Sequence, residues 1–329
     1  MSVLLAPKRL IAPLLLTAAF GCGGDPAPTA QEAPYVAVTQ IVEHPALDAV
    51  RNGIQDQLVE EDYSEADGTL KWTWESAQGQ PATAAQIAQK FVGENPDLIV
   101  AIATPSAQAA VAATDDIPVV FSAVTDPVGA ELVESLERPG GKVTGVSDLS
   151  PIDRHLELIG QVVPGANTIG VIYNAGEANS VSLVELINSL APELELSVVE
   201  ATVANSSEVA TAAESLVGQV DAIYVPTDNT VVSALEAVLQ VGADNQLPVF
   251  AGDTDSVERG AIATASFDYY EVGRQTGAMA ARILGGESPG AVPVELAQTV
   301  DLAINLSAAE AMGVVIPDNV QSEANQVFD

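Results

Sequence analysis

Apolar residues recur along this chain in two alternating patterns, short unbroken runs and longer stretches with an apolar position every third or fourth residue. The runs Leu98–Ala103 and Val119–Phe121 read as strands buried on both faces, as in a parallel sheet covered by helices, and Tyr35–Thr39, Thr168–Tyr173, Ala222–Val225, Pro248–Ala251 and Ala261–Ser266 read as further strands. Thr69–Glu75 instead alternates, with Trp72 and Trp74 on one face, and predicts a half-exposed strand. Val143–Val146 and Leu196–Ala201 add two more strands.

Helical spacing fills the gaps. Leu47, Val50, Ile54 and Leu58 place a helix over Ala46–Val59. Others are predicted over Thr83–Val92, Ala107–Ala113 behind a Thr104-Pro105-Ser106 cap, Pro151–Val162, Ser182–Ala191, Ser206 to about Leu216, and Val231–Gly242. A long helix over Asp268–Leu284 stops at Gly285-Gly286. Val294–Ile304 reads as a closing strand, with a short helix near Ala308–Met312.

The alternation breaks off near Leu149 and starts again at Pro151. The fold class is therefore α/β, with two doubly wound parallel-sheet lobes. The stretch Ile117–Leu149 organises this reading. Its strand ends in Ser122-Ala123-Val124-Thr125-Asp126-Pro127, where an open α/β sheet takes its ligands, followed by a helix-compatible segment. Gly145–Leu149 then leads out of the first lobe.

The amino terminus changes the picture. Lys8 and Arg9 precede an apolar run, Leu10–Phe20, which is too short to span a bilayer and ends in Ala19-Phe20-Gly21-Cys22. Residues 1–22 resemble a bacterial lipoprotein signal in which Cys22 is lipidated; an ordinary secretory signal with an incidental cysteine is the competing reading. Residues 23–33, rich in Gly, Pro and Ala, would tether an exported protein to the cell membrane. Cys22 is the only cysteine, so no disulfide can form within the chain.

The 329 residues are 48% hydrophobic but only 4% aromatic, which suits a globular α/β protein. Forty-five acidic residues against 11 basic ones give a net charge of −34, spread along the whole chain. Such a surface repels nucleic acid. It could serve a cationic ligand or solubility in high salt; the dispersal of the acids favours adaptation to salt.

Catalytic constellations are weak. His44 and His155 stand in no metal-spaced motif, and neither a Gly-rich phosphate loop nor a nucleophile elbow is present, so neither metal, cofactor nor enzyme activity is expected. Polar loops after the strands carry more: Gln40 and His44, Gln78, Thr104 and Ser106, Ser122, Thr125 and Asp126 in the first half; Asn174, Glu177 and Asn179, Asp228 and Asn229, and Asp253 in the second. A small zwitterion needs donors for its carboxylate, available at Thr104–Ala107 or Ser122–Asp126, and an acid for its ammonium, available at Asp228 or Asp253. Plainer roles compete: Ser106 and Asp228 as helix caps, Asp126-Pro127 as a turn, His44 as an ordinary loop residue.

The runs IVEHPALDAVRNGI, AQGQ, NPDLIVAIATPSAQAA, IPVVFSAVTDPVGAELVESLERPGGKVTGVSD, IGVIYNAGEANS, VPTDN and EVGRQTGAMAARILGG cover nearly all of residues 35 to 312. In these the chain resembles the ABC transporter substrate-binding proteins that include tryptophan- and phenylalanine-binding lipoproteins, with a type I periplasmic-binding fold. Lys142 departs from the asparagine expected before Val-Thr-Gly. The resemblance implies a binding cleft between two lobes joined by three crossovers, near Ser147–Asp153, near Ala265–Asp268 and in the closing strand. The lobes would be 34–148 plus about 267–292, and 149–266 plus about 300–329. By analogy with branched-chain amino acid receptors of the same fold, Ser106 and the Ser122–Thr125 loop would take a ligand carboxylate, and an acid of the second lobe its amine. The expected function is a monomeric, lipid-anchored receptor that delivers a small solute, an amino acid and aromatic ones included, to an ABC permease. A sensor of the same fold reporting to a membrane signalling partner is the alternative.

Overall fold

In the computed structural model the described residues are Ser2 and 33–329; the expected signal segment, Cys22 and nearly all of the tether lie outside them. Strand and helix alternate from the start: β1 (Tyr35–Gln40), α1 (Pro45–Glu60), β2 (Lys71–Ser76), α2 (Pro81–Glu94), β3 (Leu98–Ile102), α3 (Thr104–Ala113), β4 (Val119–Ser122) and β5 (Val143–Ser147). A second series follows: α4 (Ile152–Val162), β6 (Thr168–Asn174), α5 (Ala178–Leu190), β7 (Ser197–Val203), α6 (Val209–Leu216), β8 (Ala222–Val225), α7 (Asn229–Val232), α8 (Leu235–Asn245), β9 (Val249–Ala251), α9 (Thr254–Glu258) and β10 (Ala263–Phe267). The chain closes with α10 (Tyr269–Leu284), β11 (Glu295–Leu296), β12 (Val300–Asn305), α11 (Leu306–Ala311), α12 (Asp318–Glu323) and β13 (Gln326–Phe328).

The first lobe is built on a six-stranded sheet of order β11-β5-β4-β3-β1-β2, with every neighbouring pair parallel. Its central strands are buried along their whole length because helices cover both faces. The edge strand β2 is the exception, and Arg51 lies over the half-buried Trp74 ring at 4.1 Å. The second lobe holds a four-stranded parallel sheet, β7-β6-β8-β9, and a three-stranded sheet, β10-β12-β13, whose β10–β12 pairing is antiparallel. Two separate hydrophobic cores result. One gathers residues from Tyr35 to Val146 with Phe267 to Val294, the other residues from Ile152 to Ala263 with Ala303 to Val320. The polypeptide passes between them after β5, between β10 and α10, and between β11 and β12.

Helix α10 belongs to the first core because glycines let it approach α1 closely. A Cβ on Gly53 would lie 2.1 Å from the Tyr270 carbonyl oxygen, and one on Gly273 would lie 2.1 Å from that of Val50. Asp268 caps α10 by accepting from the Tyr270 and Glu271 amides.

Four departures from the sequence pattern have local causes. The segment after Pro127 forms turns, not a helix: the Leu132 and Val133 amides both donate to the Pro127 carbonyl, and Glu131 takes a left-handed φ of 60°. The helix expected over Val231–Gly242 is two helices, broken at Ala234. The closing strand is also split, because β11 pairs with β5 and β12 with β10, and Thr299 between them turns at φ 62°. Finally, α5 begins at Ala178, so Asn179 sits in a helical first turn and not in a loop.

Candidate functional site

Residues just past the carboxyl ends of β1, β3, β4, β5 and β8 line one cavity, the end at which open α/β sheets take their ligands. At the bottom of the cleft is an enclosed cavity of about 20 Å³. Its wall takes His44, Leu47, Thr104, Ala123, Thr125, Asp148 and Tyr269 from the first lobe and two crossovers, and Asn179, Thr227, Asp228, Asn229 and Val232 from the second lobe. Outside it, an open groove of about 900 Å³ runs between Gln80, Pro105 and Gln108 on one side and Asn174, Glu177 and Asn205 on the other.

The backbone aims these side chains. His44 is the N-cap residue of α1, but Pro45 opens the helix and the imidazole makes no capping bond, so the ring is free to face the cleft. Ala103 and Ala123, each at the end of a strand, hold left-handed φ values of 73° and 52°. Non-glycine residues at positive φ concentrate where function requires an unusual turn. The Ala103 turn makes Thr104 the first residue of α3, so Thr104 and Ser106 lie inside the helix and do not cap it.

Buried polar atoms without a partner gather here. His44 Nδ1, Thr104 Oγ1, Asn179 Oδ1 and Thr227 Oγ1 all make no hydrogen bond, although these side chains line the cavity. Each such atom costs about 1–3 kcal/mol unless something enters to satisfy it. Burial lowers the His44 pKa to about 4, so the imidazole is neutral at physiological pH. Burial pushes Asp148 up to about 6, against the pull of the Tyr269 hydroxyl at 2.9 Å and of Thr125 Oγ1 at 3.4 Å.

Among the residues expected from sequence, the cavity brings together His44, Thr104, Thr125, Asn179, Asp228 and Asn229. The others serve elsewhere. Gln40 donates to the Val42 carbonyl and to Asp48 and accepts from Arg51, bracing the β1–α1 turn. Gln78 is exposed at a left-handed turn. Ser106 is buried and unpaired but off the cavity wall. The Ser122 hydroxyl is engaged with Thr276 Oγ1 of α10 at 2.6 Å. Asp126 accepts from the Gly129 amide and, across the lobes, from Ser182 Oγ at 3.4 Å. Asn174 and Glu177 border the outer groove; the Asn174 side chain bonds Thr230 and the Gly176 amide, and the Glu177 carboxylate accepts from Asn229, Thr230 and Asn179.

The two acids expected to meet an amine are also occupied. Asp228 caps α7 through the Val231 amide and accepts from the Asn174 amide and Ser180 Oγ; burial, then the neighbouring Glu177, raises its pKa to about 7. Asp253 caps α9 through Ser256 and is not on the cavity wall. Asp148 and Tyr269 were not anticipated. Asp148 lies on the first crossover and Tyr269 opens α10 directly after the second, where the sequence pattern signals only a change of lobe.

Known proteins share this architecture. The family model for the ABC transporter substrate binding protein matches residues 35–328. A relative from Clostridioides difficile (strain R20291), described as a tyrosine-binding protein, is 42% identical over 87% of this chain and 83% of its own length. A crystal structure from Streptococcus pneumoniae of an ABC domain in complex with L-Trp is 38% identical, with a TM-score of 0.87 over 90% of this chain and 100% of that one. The ligand-free, open structure of a substrate-binding protein with adhesive properties from Clostridium difficile is 40% identical over 90% of this chain and 99% of that one, yet its TM-score is 0.68. By the extent of these matches, the chain belongs to the ABC transporter substrate-binding protein family.

Proposed function

We propose that this protein is an exported receptor, held at the membrane by lipid on Cys22, that closes on an aromatic amino acid and hands it to an ABC permease. The observation that carries the reading is the enclosed cavity, in which buried polar atoms from both lobes lack partners while Leu47, Ala123, Val232 and the Tyr269 ring supply apolar wall. A zwitterion with an apolar side chain answers both features. The relatives that bind tyrosine or tryptophan support the aromatic class. At about 20 Å³ the enclosed space holds about one water, so the lobes must stand further apart than they do here both to admit an amino acid and to hold it. Opening is the state attributed to the ligand-free relative. Ligand would then shift an open–closed equilibrium through contacts made by both lobes.

The test is a thermal-unfolding screen of protein stripped of endogenous ligand by unfolding and refolding. L-tyrosine, L-tryptophan or L-phenylalanine at 100 times its dissociation constant should add about 2.7 kcal/mol of stability. No shift with any of the three, together with a shift from a sugar or polyol, would overturn the reading. Anchoring is tested separately: Cys22→Ser should move the protein from the membrane fraction to the soluble exported fraction.

A further inference from the structure

We infer that Asp148, a residue of the first crossover, is the receptor for the ligand's ammonium group and sets specificity for amines; this rests on the amino-acid reading of the cavity. A buried ammonium needs a carboxylate with free acceptor capacity and, for its other protons, further acceptors. Four buried carboxylates stand in or near the cleft, and three are already satisfied by their own chain; Asp126, which reaches across the lobes to Ser182, is partly exposed and off the cavity wall. Glu177 accepts from Thr230 Oγ1 at 2.7 Å and Asn229 Nδ2 at 2.6 Å, besides two backbone amides. Asp228 accepts at 2.6, 2.6 and 2.8 Å from the Asn174 amide, Ser180 Oγ and the Val231 amide. Asp253 accepts from the Ser256 amide and hydroxyl, both at 2.7 Å.

Asp148 differs. One of its oxygens takes the Tyr269 hydroxyl at 2.9 Å, and the other has only a long contact with Thr125 at 3.4 Å. The side chain is 3% exposed and lines the cavity, and among the described residues no Lys or Arg lines it to balance the charge. A buried carboxylate in that position calls for a cation from outside the chain. The second acceptor is present on the opposite lobe: Asn179 Oδ1 is buried, unpartnered and on the same wall, since the amide nitrogen already donates to the Thr227 carbonyl at 3.1 Å. An ammonium between Asp148 and Asn179 would join the hinge to the second lobe. The ligand carboxylate is left to Thr104 Oγ1 at the start of the ten-residue helix α3.

Calorimetric titration of L-tyrosine, L-tryptophan and L-phenylalanine against 3-(4-hydroxyphenyl)propionate, indole-3-propionate and 3-phenylpropionate tests this. The wild type should prefer the amino acids by at least about 100-fold, and Asp148→Asn should bring the two series within about tenfold of each other. Asn179→Ala should weaken the amino acids by about tenfold and leave the deaminated acids unchanged. It also keeps the question answerable if Asp148→Asn fails to fold. Discrimination retained by a folded Asp148→Asn variant, or a wild type that binds both series equally, overturns the inference while the aromatic ligand stands. A wild type that binds none of the three amino acids overturns the ligand reading, and the inference falls with it.

Discussion

Replacing Asp148 by Asn should stabilise the ligand-free protein while abolishing its preference for amines. The carboxyl's pKa rises from 3.8 to about 6, with burial as the largest cause. At about 1.4 kcal/mol per tenfold change in acidity, ionising it in place costs the folded state about 3 kcal/mol. Because the folded pKa is raised, Asp148's contribution to stability is whole below pH 3.8 and is lost as pH rises through 6. At pH 8 the wild type therefore carries the full cost. The Asn side chain is nearly isosteric, can still accept from Tyr269, and has no charge to bury.

For a chain of this size about 3 kcal/mol corresponds to roughly 5–10 °C in unfolding midpoint. The assay is thermal unfolding, followed by circular dichroism, of ligand-stripped wild type and Asp148→Asn at pH 8 and pH 4.5. Asp228, pushed up to about 7, and His44, lowered to about 4, titrate in both proteins and cancel in the difference. The variant should lead at pH 8 and lose most of that lead at pH 4.5. Saturating L-tyrosine at pH 8 should reverse the order, since only the wild type gains an ion pair. A variant no more stable than wild type at pH 8, or a lead that does not depend on pH, would refute the reasoning.

Other substitutions separate site from scaffold. Thr104→Ala removes an unpaired buried hydroxyl, so ligand affinity should fall about tenfold in titration while apo stability holds or rises by about 1 kcal/mol. Ser122→Ala should do the opposite, costing about 1 kcal/mol in chemical denaturation with affinity unchanged, because its hydroxyl serves Thr276. Gly53→Ala forces a Cβ against the Tyr270 carbonyl at 2.1 Å and should cost about 3 kcal/mol or more, whereas Gly160→Ala, on an exposed helical face with nothing within 4 Å, should gain about 0.5–1 kcal/mol. With a net charge of −34, the unfolding midpoint should climb as KCl rises from about 0.1 to 1 M, where the screening length shortens from about 10 to 3 Å. A flat or falling midpoint would remove salt adaptation as the reason for the acidic composition.

The central strands of the first lobe's parallel sheet are legible because burial on two faces leaves an unbroken apolar run, as at Leu98–Ile102. Breaks made by single backbone torsions are not. Nothing in the composition around Thr299 or Glu131 announces a left-handed turn, and both positions redirected an element. Site residues followed the same division. Polar residues just after a strand can be picked out as a class, but which of them line the cavity depends on bonds made across long sequence separations. Ser122 is kept off the cavity wall by Thr276, 154 residues away, and Asp228, though on the wall, has its oxygens taken by Asn174 and Ser180. Asp148 went unnoticed because it follows β5 at a crossover, and its partner Tyr269 is 121 residues further on.

That partnership bears on how such a receptor would discriminate. Asp148 lies on the first crossover and Tyr269 directly follows the second, so the bond between them sits where the lobes pivot. A closed cleft without a cation would leave a bare buried carboxylate at Asp148 beside unpaired Asn179 and Thr227 oxygens. A ligand of the right shape but lacking an amine would therefore be rejected less by a missing contact than by the free energy of reaching the closed state around it. Selectivity then resides in the open–closed equilibrium, as a difference between the closure free energies of two complexes. A deaminated analogue should accordingly bind weakly and leave the lobes open, which small-angle scattering of its complex would reveal as a larger radius of gyration than that of the amino-acid complex.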